Sequence, residues 1–411
     1  MKLSLNAQIM IGAAIGVMAG IFLNISGPGQ GLYGPALYAC DLIGGIFINL
    51  LKMILIPLVF TSITVGIANL REHAKMGSVW KYTLAYFIST TALAVLLGMV
   101  VVNIFRPGAG LEVNMFQDAM SSFNADHVSL SQFITSFLSS IFVSPITAMA
   151  QGMVLPTVIF ALMLGIALVL AGDKRASTLL NMLEELFVLI MMMVGWVMKI
   201  APAGIMALLA KMIATQDVTF LAALGKFMMV VIGATLFHGF VILPALLFIV
   251  TRADPFKFLF GVKDALLTAF STSSSSATLP VTMRCVEENL KVDKSVAGFV
   301  LPLGATINMD GTALYEAVAA LFVANIMGIN LNPVQQLIVF FMAILASIGA
   351  PGIPSAGMVT MVMVLQSVGL PSEAIAVLLP VDRFLDAVRT MINVEGDTIG
   401  SAIVQKLISR K

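Results

Sequence analysis

Apolar residues fall in long runs along this chain. A helix needs about 20 mostly apolar residues to cross a bilayer, and such runs lie near 8–26, 38–70, 79–105, 145–171, 179–200 and 222–251. After residue 252 the pattern changes. The block 317–372 contains no Asp, Glu, Lys or Arg, yet it is too long for one span and is broken by Gly349, Pro351, Gly352, Pro354 and Gly357. Interrupted backbone cannot face lipid, where unpaired N–H and C=O groups have no water to bond. Two shorter helices meeting at a buried tip solve the problem, which predicts a re-entrant hairpin. Residues 258–284 have the same shape: an apolar stretch, then S-T-S-S-S-S-A-T-L-P at 271–280, then a return to Arg284. The C-terminal third therefore reads as hairpin, helix, hairpin, helix over 255–288, 296–327, 333–370 and 372–406.

Two polar knots interrupt this apolar background. One is G-A-T-I-N-M-D-G-T at 304–312, the other I-N-V-E-G-D-T at 392–398, and each falls in one of the two helices between and after the hairpins. Paired, broken hydrophobic segments of this kind point to the binding site of a transporter. The knots read as matched halves of one site.

Composition agrees with the pattern. Apolar residues make up 59% of the chain and charged ones 10%, so the class is an integral membrane protein, all-α. A net charge of +1 leaves no basic face for a nucleic acid. Cys40 and Cys285 are far apart, with no CxxC or Cys/His cluster, so neither a disulfide nor a transition-metal site is expected. The first apolar run lacks a clean small-x-small cleavage site, so it reads as a retained helix. Basic residues set the orientation: Arg71, Lys75 and Lys81, then Lys174 and Arg175, then Arg252, Lys257 and Lys263, then Lys406, Arg410 and Lys411 mark one side. The alternate connections carry none at 27–37, Arg106 alone across 106–127 and Lys211 alone across 201–221. Positive charge marks the cytoplasmic side, giving eight spans in the cell membrane with both termini inside.

The last helix carries the chemistry. In D-R-F-L-D-A-V-R-T-M-I-N-V-E-G-D (382–397), Asp382, Asp386, Arg389, Thr390, Asn393 and Asp397 share an arc of about 100°. Glu395 falls roughly opposite. Each ionisable group at mid-membrane costs at least about 2.5 kcal/mol, so such groups face an interior and do work. Charges that merely hold the helix to its neighbours are the plainer alternative, but Thr390 and Asn393 add neutral oxygens that ion pairing does not need. Arg389 offers a planar fork for a carboxylate. Asp386, one turn away, neutralises an ammonium group. The tip Ser274-Ser275-Ser276 offers hydroxyls and amides for a second carboxylate. Two carboxylates and one amine describe an acidic amino acid. Asp310 and Asp397, with Asn308, Asn393, Thr306 and carbonyls near Gly304 and Gly311, offer hard oxygen ligands suited to an alkali cation, sodium first.

The motifs S-S-S-A-T-L-P (274–280), N-M-D-G-T (308–312), S-I-G-A-P-G-I-P (347–354) and D-x-x-R-T-x-x-N-V-x-G-D (386–397) resemble the dicarboxylate/amino acid:cation symporter family. The resemblance spans essentially the whole chain and is weakest over 107–145. It implies eight transmembrane helices plus two re-entrant hairpins, inverted repeats, a homotrimer and an elevator motion. A scaffold would comprise 1–78 and 107–215, and a transport domain 79–106 and 216–411. It also implies residue roles. Asp386 would take the substrate amino group and Arg389 its side-chain carboxylate. Thr312, Thr390 and Asn393 would make further contacts, and Ser274, Ser275 and Ser276 with Gly352 would hold the main carboxylate. One sodium would use Asp397, Asn393 and the carbonyls of Gly304 and Asn308. A second would use carbonyls of Thr306, Met309, Ser347, Ile348 and Ala350. A third would use Asp310, Asn308, Thr90 and Thr91. Glu316 would carry a proton, with a potassium role on the return step as an extension.

This sequence departs from familiar members at several points. Ser273 stands where archaeal-type members have arginine, Ala387 where animal-type members have one, and Arg383 follows Asp382 instead. Phe87 replaces a usual tyrosine. His238 reads as a hydrogen-bonded structural residue, and Met191, Met192 and Met193 as adaptable packing. Rival functions fit less well. An intramembrane serine hydrolase would need a Gly-x-Ser-x-Gly elbow, which the chain lacks. A channel would not need a closed hairpin site. A proton-coupled glutamate or C4-dicarboxylate symporter is the nearest alternative; Asp386 and the Asp310/Asp397 pair favour an amino acid and sodium.

Overall fold

The computed structural model describes residues 5–27, 31–73, 78–111, 142–171, 173–215, 218–350, 352 and 355–409. Lys75, Arg410 and Lys411 of the charge pattern, and Pro351 and Pro354 of the second tip, lie outside the described residues. The described residues are helical throughout their regular structure. The first half holds α1 (Leu5–Ser26), α2 (Tyr33–His73), α3 (Ser78–Phe105), a short α4 (Pro145–Ala150), α5 (Val154–Ala171) and α6 (Asp173–Thr215). The expected run 145–171 is thus two helices, split at 151–153. The expected connection over 201–221 is not a loop: α6 continues through Pro202 to Thr215. α1 packs along α6 through Gly12, Gly16 and Gly20, and a Cβ at the first two would lie 2.4 Å from the carbonyl oxygens of Pro202 and Met206. Small residues four apart let membrane helices approach this closely.

The second half begins with α7 (Val218–Phe237), which passes through a π-turn at His238–Ile242 into α8 (Leu243–Thr251). Next, α9 (Pro255–Thr272) starts at a capping Asp254, which accepts from the N–H groups of Phe256 and Lys257 and precedes Pro255 at the first helical position. It folds back onto α10 (Ser275–Arg284) through Ser273, held left-handed at φ 50. Then come α11 (Lys294–Ile307) and α12 (Asp310–Ile326), separated by Asn308 and Met309 in non-helical conformations. The helix expected over 296–327 is therefore broken at its polar knot. α13 (Pro333–Gly349) opens on an Asn332/Gln335 capping box and packs against α14 (Ala356–Ser367). The last helix, α15 (Ile375–Ile408), runs unbroken through the second knot.

Five helices among the described residues are long and apolar enough to cross a membrane: Ala7–Ser26, Tyr33–Ala68, Ser78–Phe105, Ala176–Thr215 and Thr219–Thr251. The remaining expected spans fall short for physical reasons: α5 is short, α11–α12 is interrupted, and α15 carries too many charges. Packing divides the helices into two groups. α1, α2, α5 and α6 pack on one another. α3 and α7 to α15 surround α12, which is buried along nearly its whole length, and the buried stripe of α15. The two groups meet where α6 touches α15, the hairpin α13–α14 touches α2, and α14 touches α5.

Candidate functional site

On α15, Asp382, Asp386, Arg389, Thr390, Asn393 and Asp397 are all buried, as the helical arc requires. The Arg389 side chain is 0% exposed. Its Nη2 donates to Asp382 Oδ1 at 2.6 Å and to Asp386 Oδ1 at 2.9 Å. Its guanidinium carbon lies 3.9 Å from the ring centroid of Tyr315 on α12, a cation–π contact. Nε and Nη1 of Arg389 have no hydrogen-bond partner. A buried guanidinium with idle donors is a receptor for an acceptor-rich group such as a carboxylate. Asp386 is engaged on its other oxygen: the N–H of Ser355, at the tip of the α13–α14 hairpin, donates to Oδ2 at 2.8 Å, and Arg383 Nη1 lies 3.4 Å away.

The two hairpin tips meet beside this stripe. Ser274 caps α10 by accepting from Ala277 N–H, and its hydroxyl donates to the Gly352 carbonyl at 2.7 Å. The N–H of Ser276 donates to the same carbonyl at 3.2 Å. A Cβ at Gly352 would lie 2.4 Å from Ser276 Oγ and 2.5 Å from the Ala305 carbonyl oxygen, so this contact needs glycine. Ser275 is buried and Ser276 exposed. Thr312, at the start of α12, accepts from Asn393 Nδ2 at 3.3 Å, while Asn393 Oδ1 accepts from Gly311 N–H at 2.8 Å.

A second group of oxygens converges at the α11–α12 break. Thr91 donates to Asp310 Oδ1 at 2.7 Å, and Thr90 donates to Asp310 Oδ1 at 3.3 Å and to Asn308 Oδ1 at 3.4 Å. Asn308 Nδ2 donates to Asp397 Oδ1 at 3.0 Å. Asp397 packs onto Gly304 so closely that a Cβ there would be 2.2 Å from Oδ1. Carboxylate, amide and hydroxyl oxygens around two buried acids form a donor set for a hard monovalent cation. Among the described residues no cluster of three or more His, Cys, Asp and Glu forms a metal centre of another kind. Met309 and Ala350 pack against each other, which brings the hairpin α13–α14 onto the break. The side chains of the other residues expected with them turn elsewhere, the expected ligands there being backbone carbonyls. Thr306 is exposed with its hydroxyl on the Leu303 carbonyl, and Ser347 turns its hydroxyl to the Ile344 carbonyl. Ile348 lines an apolar cavity of about 400 Å³ with Thr91 and Ile307.

Two residues beyond the expected set, His238 and Tyr86, join the site, and the expected Glu316 lies near it. His238 is hydrogen-bonded, as its type and burial suggest, but its partner is Asp310: Nε2 lies 3.0 Å from Oδ2. Tyr86, beside the anomalous Phe87, donates its phenol to the Gly396 carbonyl at 3.1 Å. Glu316 on α12 is fully buried, accepts from the Thr360 hydroxyl of α14 on Oε1, and has no partner on Oε2. A lone histidine in a spanning helix was the one signal for His238. Its partner lies in a distant segment that no spacing reveals.

These features can be set beside known proteins. A family model described as the sodium:dicarboxylate symporter family matches residues 5–407. The chain belongs to that family. Among its relatives, excitatory amino acid transporter 3 of Mus musculus is 38% identical, covering 90% of this chain and 79% of the relative. Excitatory amino acid transporter 1 of Ambystoma tigrinum is 39% identical, covering 89% and 76%. Excitatory amino acid transporter 2 of Homo sapiens is 36% identical, covering 97% and 78%. As a member of the sodium:dicarboxylate symporter family, the chain is a multi-pass membrane transporter and not an enzyme.

Proposed function

We propose that this chain is a secondary active symporter that couples inward sodium movement to uptake of acidic amino acids, L-aspartate or L-glutamate. One observation carries the reading. Arg389 is completely buried, pairs Asp382 and Asp386 through one nitrogen, and keeps Nε and Nη1 idle. A substrate side-chain carboxylate takes the idle fork, and Asp386 turns from arginine to the substrate ammonium group. The substrate α-carboxylate lies between the Ser274–Ser276 tip and Gly352, with Thr312, Thr390 and Asn393 closing the sides. A plain C4-dicarboxylate has no amine for Asp386, so the amino acid is the better fit. The relatives' names, excitatory amino acid transporters, agree.

Sodium is the coupling ion, as the family description suggests. One ion uses Asp310, Asn308, Thr90 and Thr91; another uses Asp397, Asn393 and the carbonyls of Gly304 and Asn308. A further ion lies under the second hairpin, on carbonyls of Thr306, Met309, Ser347, Ile348 and Ala350. Glu316 adds a proton link, its carboxyl facing α14, which must move if the hairpin opens.

The larger architecture follows the same proposal: eight spans, two re-entrant hairpins, both termini cytoplasmic, and a homotrimer. Residues 1–78 and 107–215 form a scaffold past which 79–106 and 216–411 slide as an elevator. The separate packing of α1, α2, α5 and α6 from the helices around α12 supports that division. Uptake of radiolabelled aspartate and glutamate into proteoliposomes, with sodium, proton and potassium gradients imposed one at a time, tests the function. An inward sodium gradient is expected to drive accumulation; uptake driven equally well without sodium would overturn the coupling.

A further inference from the structure

Glu395 takes no part in the site described above. It faces the other side of α15, is 0% exposed, and neither carboxyl oxygen has a hydrogen-bond partner. It lies against the π-turn between α7 and α8: a Cβ on Gly239 would be 3.0 Å from Glu395 Oε2, so glycine makes the room. The π-turn also liberates backbone. The N–H of Leu243 bonds to the His238 carbonyl, and Pro244 has no N–H. The Gly239 carbonyl therefore has neither its usual donor four residues on nor one five residues on. Thr235, one turn before Gly239 on α7, is fully buried and its hydroxyl has no partner. His238, spent on Asp310 through Nε2, leaves Nδ1 without one.

We propose that Glu395, Thr235 and the Gly239 carbonyl form an additional site for an alkali cation, bordered by His238. The cluster is rich in acceptors and poor in donors: two carboxylate oxygens and a carbonyl stand against one hydroxyl hydrogen. A single proton on Glu395 serves one acceptor and leaves the others bare. A cation serves them together and neutralises the buried charge. Oxygen donors without a thiolate select a hard ion. Through His238 this site adjoins Asp310, so an ion here sits one side chain from the α11–α12 break.

Equilibrium binding of radioactive sodium and rubidium to the purified chain in detergent, in choline buffer without amino acid, tests the proposal. Glu395→Gln is expected to bind one cation fewer per chain than the parent. Thr235→Val, which deletes only the hydroxyl, should weaken that same cation about ten-fold. Asp397→Asn is the control, because its loss should add to that of Glu395→Gln. Equal cation counts in Glu395→Gln and the parent overturn the proposal, as does a loss that Asp397→Asn already accounts for. If Glu395→Gln fails to purify as a single species, unchanged cation affinity in Thr235→Val overturns it instead. Failure here leaves aspartate uptake and its sodium dependence untouched, so the two readings fall separately.

Discussion

Arg389 is the residue on which the substrate assignment turns. It neutralises two acids, Asp382 and Asp386, within a fully buried stripe. Removing one partner of a buried charge group commonly costs about 3–5 kcal/mol, because the remaining charges lose compensation. Arg389→Ala is expected to turn preference away from acidic substrates, lowering aspartate and glutamate uptake at least about ten-fold, as one charge-assisted pair is worth. Competition by neutral amino acids should rise in the same assay; intact acidic uptake would show the carboxylate role to be wrong. Glu316 gives a different readout. Its bond to Thr360 ties α12 to α14, and Oε2 has no partner, so it is suited to gain and lose a proton as the hairpin moves. Glu316→Gln keeps the shape and removes the titration. Uptake measured across a pH series should lose its pH dependence in that variant; a profile matching the parent's would identify Glu316 as a packing residue. The stripe on α15 was legible because one helix sets its own geometry. The Asp310–His238 bond was not, because residues on separate helices meet only through tertiary packing.

At the scale of elements, the two polar knots part company. Their sequences are alike, N-M-D-G-T and N-V-E-G-D-T, yet the first breaks its helix at Asn308 and Met309 while the second stays helical. Local propensity does not decide this. Asn308 reaches across to Asp397, and Asp310 to Thr91 and His238, so the broken backbone is held by partners on α15, α3 and α7–α8. The fold-back of α9 onto α10 and of α13 onto α14 is legible in the sequence, because an apolar stretch with Gly, Pro or Ser at its middle has few other ways to hide its backbone. The length of α6 was misread for the opposite reason: Pro202 sits inside a continuous helix, where membrane surroundings tolerate it. The break makes Gly304 critical. Asp397 occupies the place a side chain would need, so Gly304→Ala must push the carboxyl aside. Such overpacking costs about 1–3 kcal/mol. The sodium concentration for half-maximal uptake should rise by about ten-fold or more, with the substrate affinity at saturating sodium changing less. An unchanged sodium requirement would remove Asp397 from the ion set.

For the whole molecule, the question is whether the two helix groups move as bodies. Their contact includes an exposed ion pair, Lys52 Nζ on α2 to Glu373 Oε1 just before α15, at 2.9 Å. Both side chains are at least partly exposed, and the pair marks where the two groups lie against each other. Sliding of one group past the other must break it. Lys52→Cys with Glu373→Cys, in a background with Cys40→Ser and Cys285→Ser, puts a thiol on each group at this point. Bridging the two with a short, reducible bifunctional thiol reagent in proteoliposomes should arrest sodium-driven aspartate uptake, and reduction should restore it. Binding of substrate to the bridged form should survive, because the residues around Arg389 all lie within one group or on the hairpin tips. Continued uptake by fully bridged protein would rule out movement of α15 and its neighbours past α2, whatever the substrate is.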